Sequence, residues 1–148
     1  MTSNDKASTP RWIFYYGRLG LIPFLLPAIV GWIWPAAAPS AGSALAIYAA
    51  LILSFLGGAR WGMAVTARAL DTRVVSLAML PSLAGFALLM LPNDWRGWQL
   101  AGLAAAHILQ GIWDLRAMSV PEWFASLRSQ LTLAALAGLT LGMALLGI

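Results

Sequence analysis

Apolar residues run along most of this chain in long stretches, each closed by a short group of Pro, Gly, Asp, Asn or Arg. Five stretches, at 12–34, 44–66, 74–91, 95–114 and 120–147, approach or exceed the roughly 20 residues a helix needs to cross a bilayer. They predict five transmembrane helices, and the punctuation between them agrees. Thr9 and Pro10 make a helix start, since a hydroxyl caps orphan amides and Pro suits the first helical position. Asp71-Thr72 caps the third helix and Ser119-Val120-Pro121-Glu122 has the spacing of a capping box for the fifth. PAAAPSAGS at 35–43 reads as a loop by its Pro, Gly and Ser content. Pro23 and Pro27 each remove an amide hydrogen bond and predict a bend in the first helix, and Pro81 lies inside the third. Counted from Val120, the last helix is about 42 Å long, so its first turns, PEWFASLR, are expected in the headgroup region. Residues 1–9, MTSNDKAST, are polar without periodicity and predict a disordered tail ahead of one domain at 10–148.

Composition strengthens this reading: 61% of the residues are hydrophobic and 9% charged, where a soluble domain carries about 25% charged. Nine basic and five acidic residues cannot cover an aqueous surface, so most of the surface must face lipid. The net charge of +4 forms no run or stripe, which argues against nucleic acid, and the basic residues sit at the ends of the apolar stretches. Counted on alternate sides of five helices, Lys6, Arg11, Arg18, Arg68, Arg73, Arg116 and Arg128 fall on one side and Arg96 on the other. That bias places the N-terminus inside and the C-terminus outside. Trp12, Trp61, Trp113 and Trp123 map to the inner boundary and Trp32, Trp34, Trp95 and Trp98 to the outer, as interfacial belts require. The fold class is therefore an all-α polytopic helical membrane bundle, placed by this reading in a bacterial inner membrane. The small residues after the first stretch resemble a signal-peptidase site, but Arg18, the two prolines and the length of the stretch favour retention.

Polar groups at membrane depth are the candidate chemistry. His107, Gln110 and Asp114 lie within about 60° of one helix face at 100° per residue. Charge in a bilayer costs about 2.5–3.5 kcal/mol even on the lenient insertion scale, so such groups turn inward and find partners. Arg60 lies at a depth comparable to Asp114 and is its expected partner; Arg18, Arg128 and Gln130 add to the same inner layer. One reading is a structural network that fixes helix register. The other is an inward-opening cavity for an anionic headgroup, a quinone or a small carboxylate, with His107 as proton donor or ligand contact. Ser54, Gly58 and Gly62 recur every four residues with Gly57 alongside, and Gly138 and Gly142 do the same in the last helix. These small-residue faces are expected mostly as internal packing seams, with an oligomer interface as the alternative.

Named chemistries find little support. One His and no Cys cannot close a zinc site or ligate haem through two histidines, and no cofactor is expected. No G-x-S-x-G, P-loop or dinucleotide fingerprint occurs. Four blocks, YYGRLGLIPF (15–24), YAALILSFLGGARWGMAV (48–65), MLPSLAGFALLML (79–91) and LQGIWDLRAMSVPEWFASLRSQLT (109–132), resemble the bacterial membrane family called domain of unknown function 3429, to which the eukaryotic transmembrane protein 69 group is similar. The resemblance implies a small multi-span inner-membrane protein. It also singles out Gly20, Pro23, Gly57, Gly58, Arg60, Trp61, Pro81, Asp114, Pro121, Trp123 and Arg128, and leaves His107 outside the matching blocks. The expected function is a non-enzymatic accessory, assembly or interaction protein, with the lipid bilayer and a larger inner-membrane complex or a second copy as partners. The alternative is a small-molecule or lipid-binding protein or transporter that uses the inner polar layer.

Overall fold

The computed structural model describes residues 11–69, 71–116 and 122–147. Within them the chain forms α1 (Arg11–Leu19), α2 (Ile22–Ile33), α3 (Ala38–Val65), α4 (Thr72–Leu77), α5 (Leu80–Leu89), α6 (Arg96–Arg116) and α7 (Glu122–Leu145), with 3-10 turns at Pro35–Ala37 and Asn93–Trp95. Because α1 continues into α2 and α4 into α5, these make five helical rods. The expected tail at 1–9 and the Ser119–Pro121 part of the expected cap lie outside the described residues.

Proline explains both broken rods. Pro23 has no N–H to offer, and Phe24 N–H bonds Leu21 O at 3.1 Å, so the Gly20 carbonyl loses its helical partner. The Tyr48 hydroxyl, from α3, donates to that carbonyl at 2.9 Å, which is how a broken helix stays satisfied away from water. Pro27 stays inside α2 without a break. Pro81 sits in the first turn of α5, and the helix yields at Ala78–Met79 just before it. Asp71 caps α4 by accepting from the amides of Arg73 and Val74.

The expected loop at 35–43 is corrected. Residues 35–37 form a 3-10 turn and α3 already begins at Ala38, because Pro39 occupies its first turn, where a missing N–H costs nothing. The result is one 28-residue helix.

α3 is the centre. It packs against α2, α5, α6 and α7, while the outer rods meet in the order α2, α7, α6, α5. Ala46, Ala49 and Ala50 let these neighbours approach, and Phe24, Leu45, Leu53, Leu100, Leu103 and Leu139 close the core. Ile47, Leu51, Phe55 and Gly58, spaced by three or four residues, form the exposed face of α3. Tyr15–Ile33, Pro35–Val65 and Thr72–Leu89 are long and apolar enough to cross a membrane by length and composition. α6 and α7, which carry the buried polar groups, fall outside that set.

The glycines of α3 divide by face. A Cβ on Gly57 would meet the Ala78 carbonyl oxygen at 2.7 Å and Pro81 at 3.2 Å, whereas one on Gly58 or Gly62 would meet nothing within 4 Å. Among the described residues Gly58 and Gly62 are therefore not an internal seam, which corrects the expectation from their spacing: four-residue recurrence defines a face but not what lies opposite. Ser54 joins α5 through a hydroxyl–hydroxyl bond to Ser82 at 2.9 Å. Gly57→Ala is expected to cost about 1–3 kcal/mol, because backbone must move. Gly58→Ala should be neutral or up to about 1 kcal/mol stabilising through helix propensity. Unfolding midpoints of the two variants in mixed detergent micelles check the contrast.

Candidate functional site: a buried ion pair beside an apolar cavity

α6 turns its polar stripe inward. Gln99, Leu100, Leu103, His107, Gln110, Gly111 and Asp114 are buried, while Trp98, Leu109 and Ile112 point out. Gln99 belongs to the stripe although the sequence reading passed over it, and its four-residue step to Leu103 and then His107 is the signal that would have found it. It donates to the Leu91 carbonyl at 2.8 Å and accepts from Arg96, which also donates to Asn93 at 2.6 Å. This ties the α5–α6 connection to the start of α6.

Asp114 and Arg128 form the charged centre. Arg128 Nε donates to Asp114 Oδ2 at 2.7 Å, and the two residues are 7% and 3% exposed. Gln110 Nε2 donates to the other carboxylate oxygen at 3.0 Å. Both Asp114 oxygens are thus occupied by charge-assisted or amide bonds, the arrangement a buried carboxylate requires. Close approach of α6 and α7 permits it: a Cβ on Gly111 would lie 3.1 Å from the Thr132 hydroxyl. Arg128 Nη2 is buried without a hydrogen-bond partner among the described residues.

The expected Arg60–Asp114 pair is not formed. Arg60 instead lies over the Trp113 ring, its guanidinium carbon 4.5 Å from the ring centroid, and its Nε has no hydrogen-bond partner among the described residues. Depth alone leaves Arg60 and Arg128 equivalent as partners of Asp114. Helix rotation separates them, since Asp114 faces α7 and Trp113 turns toward α3. Arg18 is exposed and does not join the cluster. Gln130 reaches only Ser126 on its own helix, at 3.4 Å.

His107 stands apart from the ion pair. Its Nε2 lies 3.1 Å from the Ala49 carbonyl. A carbonyl only accepts, so Nε2 carries a proton and donates to it, while Nδ1 is buried without a hydrogen-bond partner among the described residues. Phe24 packs edge-on at 5.8 Å between centroids. Ser54 and Ser82 bond each other rather than His107, so the described residues do not assemble a serine, histidine and aspartate relay. These contacts hold α2, α3 and α6 in register.

On the other side of Gln110, between α3, α4–α5 and α6, lies a cavity of about 310 Å³. Its walls are apolar, with Leu53, Leu80, Pro81 and Leu109 among them; Gln110 and Trp113 are the groups in its lining that can hydrogen-bond. His107, Asp114 and Arg128 do not line it. The ion pair and the cavity are neighbours that share one side chain, Gln110.

Comparison with known proteins places this architecture. Residues 9–145 match the family described as protein of unknown function (DUF3429). The chain is 32% identical over 136 residues to Transmembrane protein 69 of Xenopus tropicalis, an alignment that covers 85% of this chain and 51% of that protein. The chain thus spans about half the length of that relative. No solved structure matches. The match over almost all of the helical rods, together with their apolar surfaces, identifies the chain as a membrane protein that belongs to the DUF3429 family.

Proposed function

We propose that the chain is a five-span inner-membrane protein, N-terminus inside, that acts as a non-enzymatic accessory or assembly partner of a larger membrane complex. The observation that carries this reading is how the intramembrane polar groups are used. Asp114, Arg128 and Gln110 bond one another, His107 bonds backbone, and Ser54 bonds Ser82, so the groups able to do chemistry serve helix register. Catalysis needs a base or nucleophile with a free valence at an accessible point. The arrangement of charged residues supports the orientation: Arg68, Arg73 and Arg116 are exposed at the end of the bundle where α3, α6 and the start of α4 meet the connections. On the face of α3 that bears Gly58, a Cβ would meet nothing within 4 Å among the described residues, which leaves room for another helix to approach.

The test is the mass of the protein extracted from its own membranes in mild detergent. A stoichiometric complex is expected, dissociated by Gly58→Leu and Gly62→Leu without loss of the folded chain. A monomer of 15.8 kDa with no stoichiometric partner would overturn the assembly role.

A further inference from the structure

The cavity differs from a packing defect in what surrounds it. At about 310 Å³ it falls in the range of ligand pockets, about 300–1,000 Å³. It lies beside the break of the α4 and α5 rod at Ala78–Met79, and Ala84 on α5 and Ala106 on α6 leave opposite walls thin. From Ala106 to Trp113 it follows α6 for about 10 Å, so its form is a slot rather than a bubble.

A cation stands beside one end of this slot. Trp113 lines the cavity and also carries the Arg60 guanidinium on its ring. Asp114 is held by Arg128, and Asp71 is engaged by the amides of Arg73 and Val74. Among the described residues no carboxylate lies within ion-pair reach of Arg60. A guanidinium within a bilayer lowers its cost by meeting an anion at the interface, and its apolar stem favours that placement. Gln110, 4% exposed, gives one amide hydrogen to Asp114 and retains a second donor and its carbonyl.

We infer that the slot between α3, α5 and α6 holds one acyl chain of an anionic phospholipid whose phosphate is bound by Arg60 beside Trp113. The apolar walls take the chain, the cation takes the phosphate, and Gln110 faces the polar linkage between them. The inference rests on the membrane-spanning reading above and goes beyond it.

The test uses the full chain in phosphatidylcholine vesicles that contain phosphatidylglycerol with a photoreactive group on its acyl chain. Labelled residues are then mapped by mass spectrometry. Phosphatidylglycerol is expected to label the Leu80–Ala84 and Ala106–Trp113 segments above the outward segment Ile47–Phe55. Arg60→Gln should lower labelling of the slot about tenfold, the loss of one charge-assisted contact, while labelling by the phosphatidylcholine probe is unchanged. Ala106→Phe should abolish slot labelling and leave Ile47–Phe55 unaffected; labelling of the parent chain needs no variant to fold. Equal labelling of slot and outward face would overturn the site while leaving the membrane reading intact. Equal labelling by both phospholipids would overturn the role of Arg60. Absence of labelling anywhere would overturn the site and the membrane reading together.

Discussion

Asp114→Ala is expected to lower the stability of the bundle by about 3–5 kcal/mol, because it leaves the Arg128 guanidinium, 3% exposed, without its counter-charge. The loss would be read as the shift in unfolding free energy in mixed micelles of sodium dodecyl sulfate and a mild detergent. Two comparisons make the result specific. Replacing both partners together, as Asp114→Leu with Arg128→Met, should recover much of the loss, since desolvating two charges costs a large part of what their attraction returns. Arg60→Met should cost no more than the cation–π contact with Trp113, about 0.5–2 kcal/mol, because it orphans no acid. If Asp114→Ala left the midpoint within about 1 kcal/mol of the parent, well short of an orphaned buried charge, the ion pair would not be holding α6 to α7.

Gly138→Ala should be nearly as damaging as an ordinary core overpacking mutation many times larger. A single added methyl there runs into the backbone carbonyl of Phe24 on α2, not into a side chain that can rotate away. The cost is expected at about 3 kcal/mol, the upper part of the overpacking range. Gly102→Ala supplies the control, since its methyl meets the end of the half-buried Leu88 side chain, which can shift. A loss below about 1 kcal/mol for Gly102→Ala against the larger loss for Gly138→Ala is the expected pattern, and equal losses would contradict the close approach of α2 and α7.

The two predictions mark where sequence reasoning reaches and where it stops. The inward stripe of His107, Gln110 and Asp114 is a local property, three residues on one helix, so the 100° step and the cost of polar groups in lipid suffice to find it. The partner of Asp114 is not local. Arg60 and Arg128 share its depth, and the choice depends on how α3 and α7 are rotated about their axes, which is decided by contacts such as Gly111 against Thr132. The same limit separates Gly57 from Gly58: adjacent in sequence, they face opposite surroundings. Pro35 and Pro39 misled in another way, because proline ends a helix from inside but begins one from its first turn. The cavity was beyond reach, since it lies beside a break in one rod, with alanine walls on that rod and on α6.

The position of the ion pair along the chain bears on how the protein enters a membrane. Asp114 and Arg128 belong to consecutive rods, α6 and α7, which are the rods outside the set apolar enough to cross on their own. Each contributes one member of the buried pair, the charge that cancels the other. In the five-span arrangement proposed above, entering lipid as a pair with the ion pair closed lowers the cost of each charge. Removing either charge is therefore expected to weaken the hold of both rods on lipid, not only the contact between them.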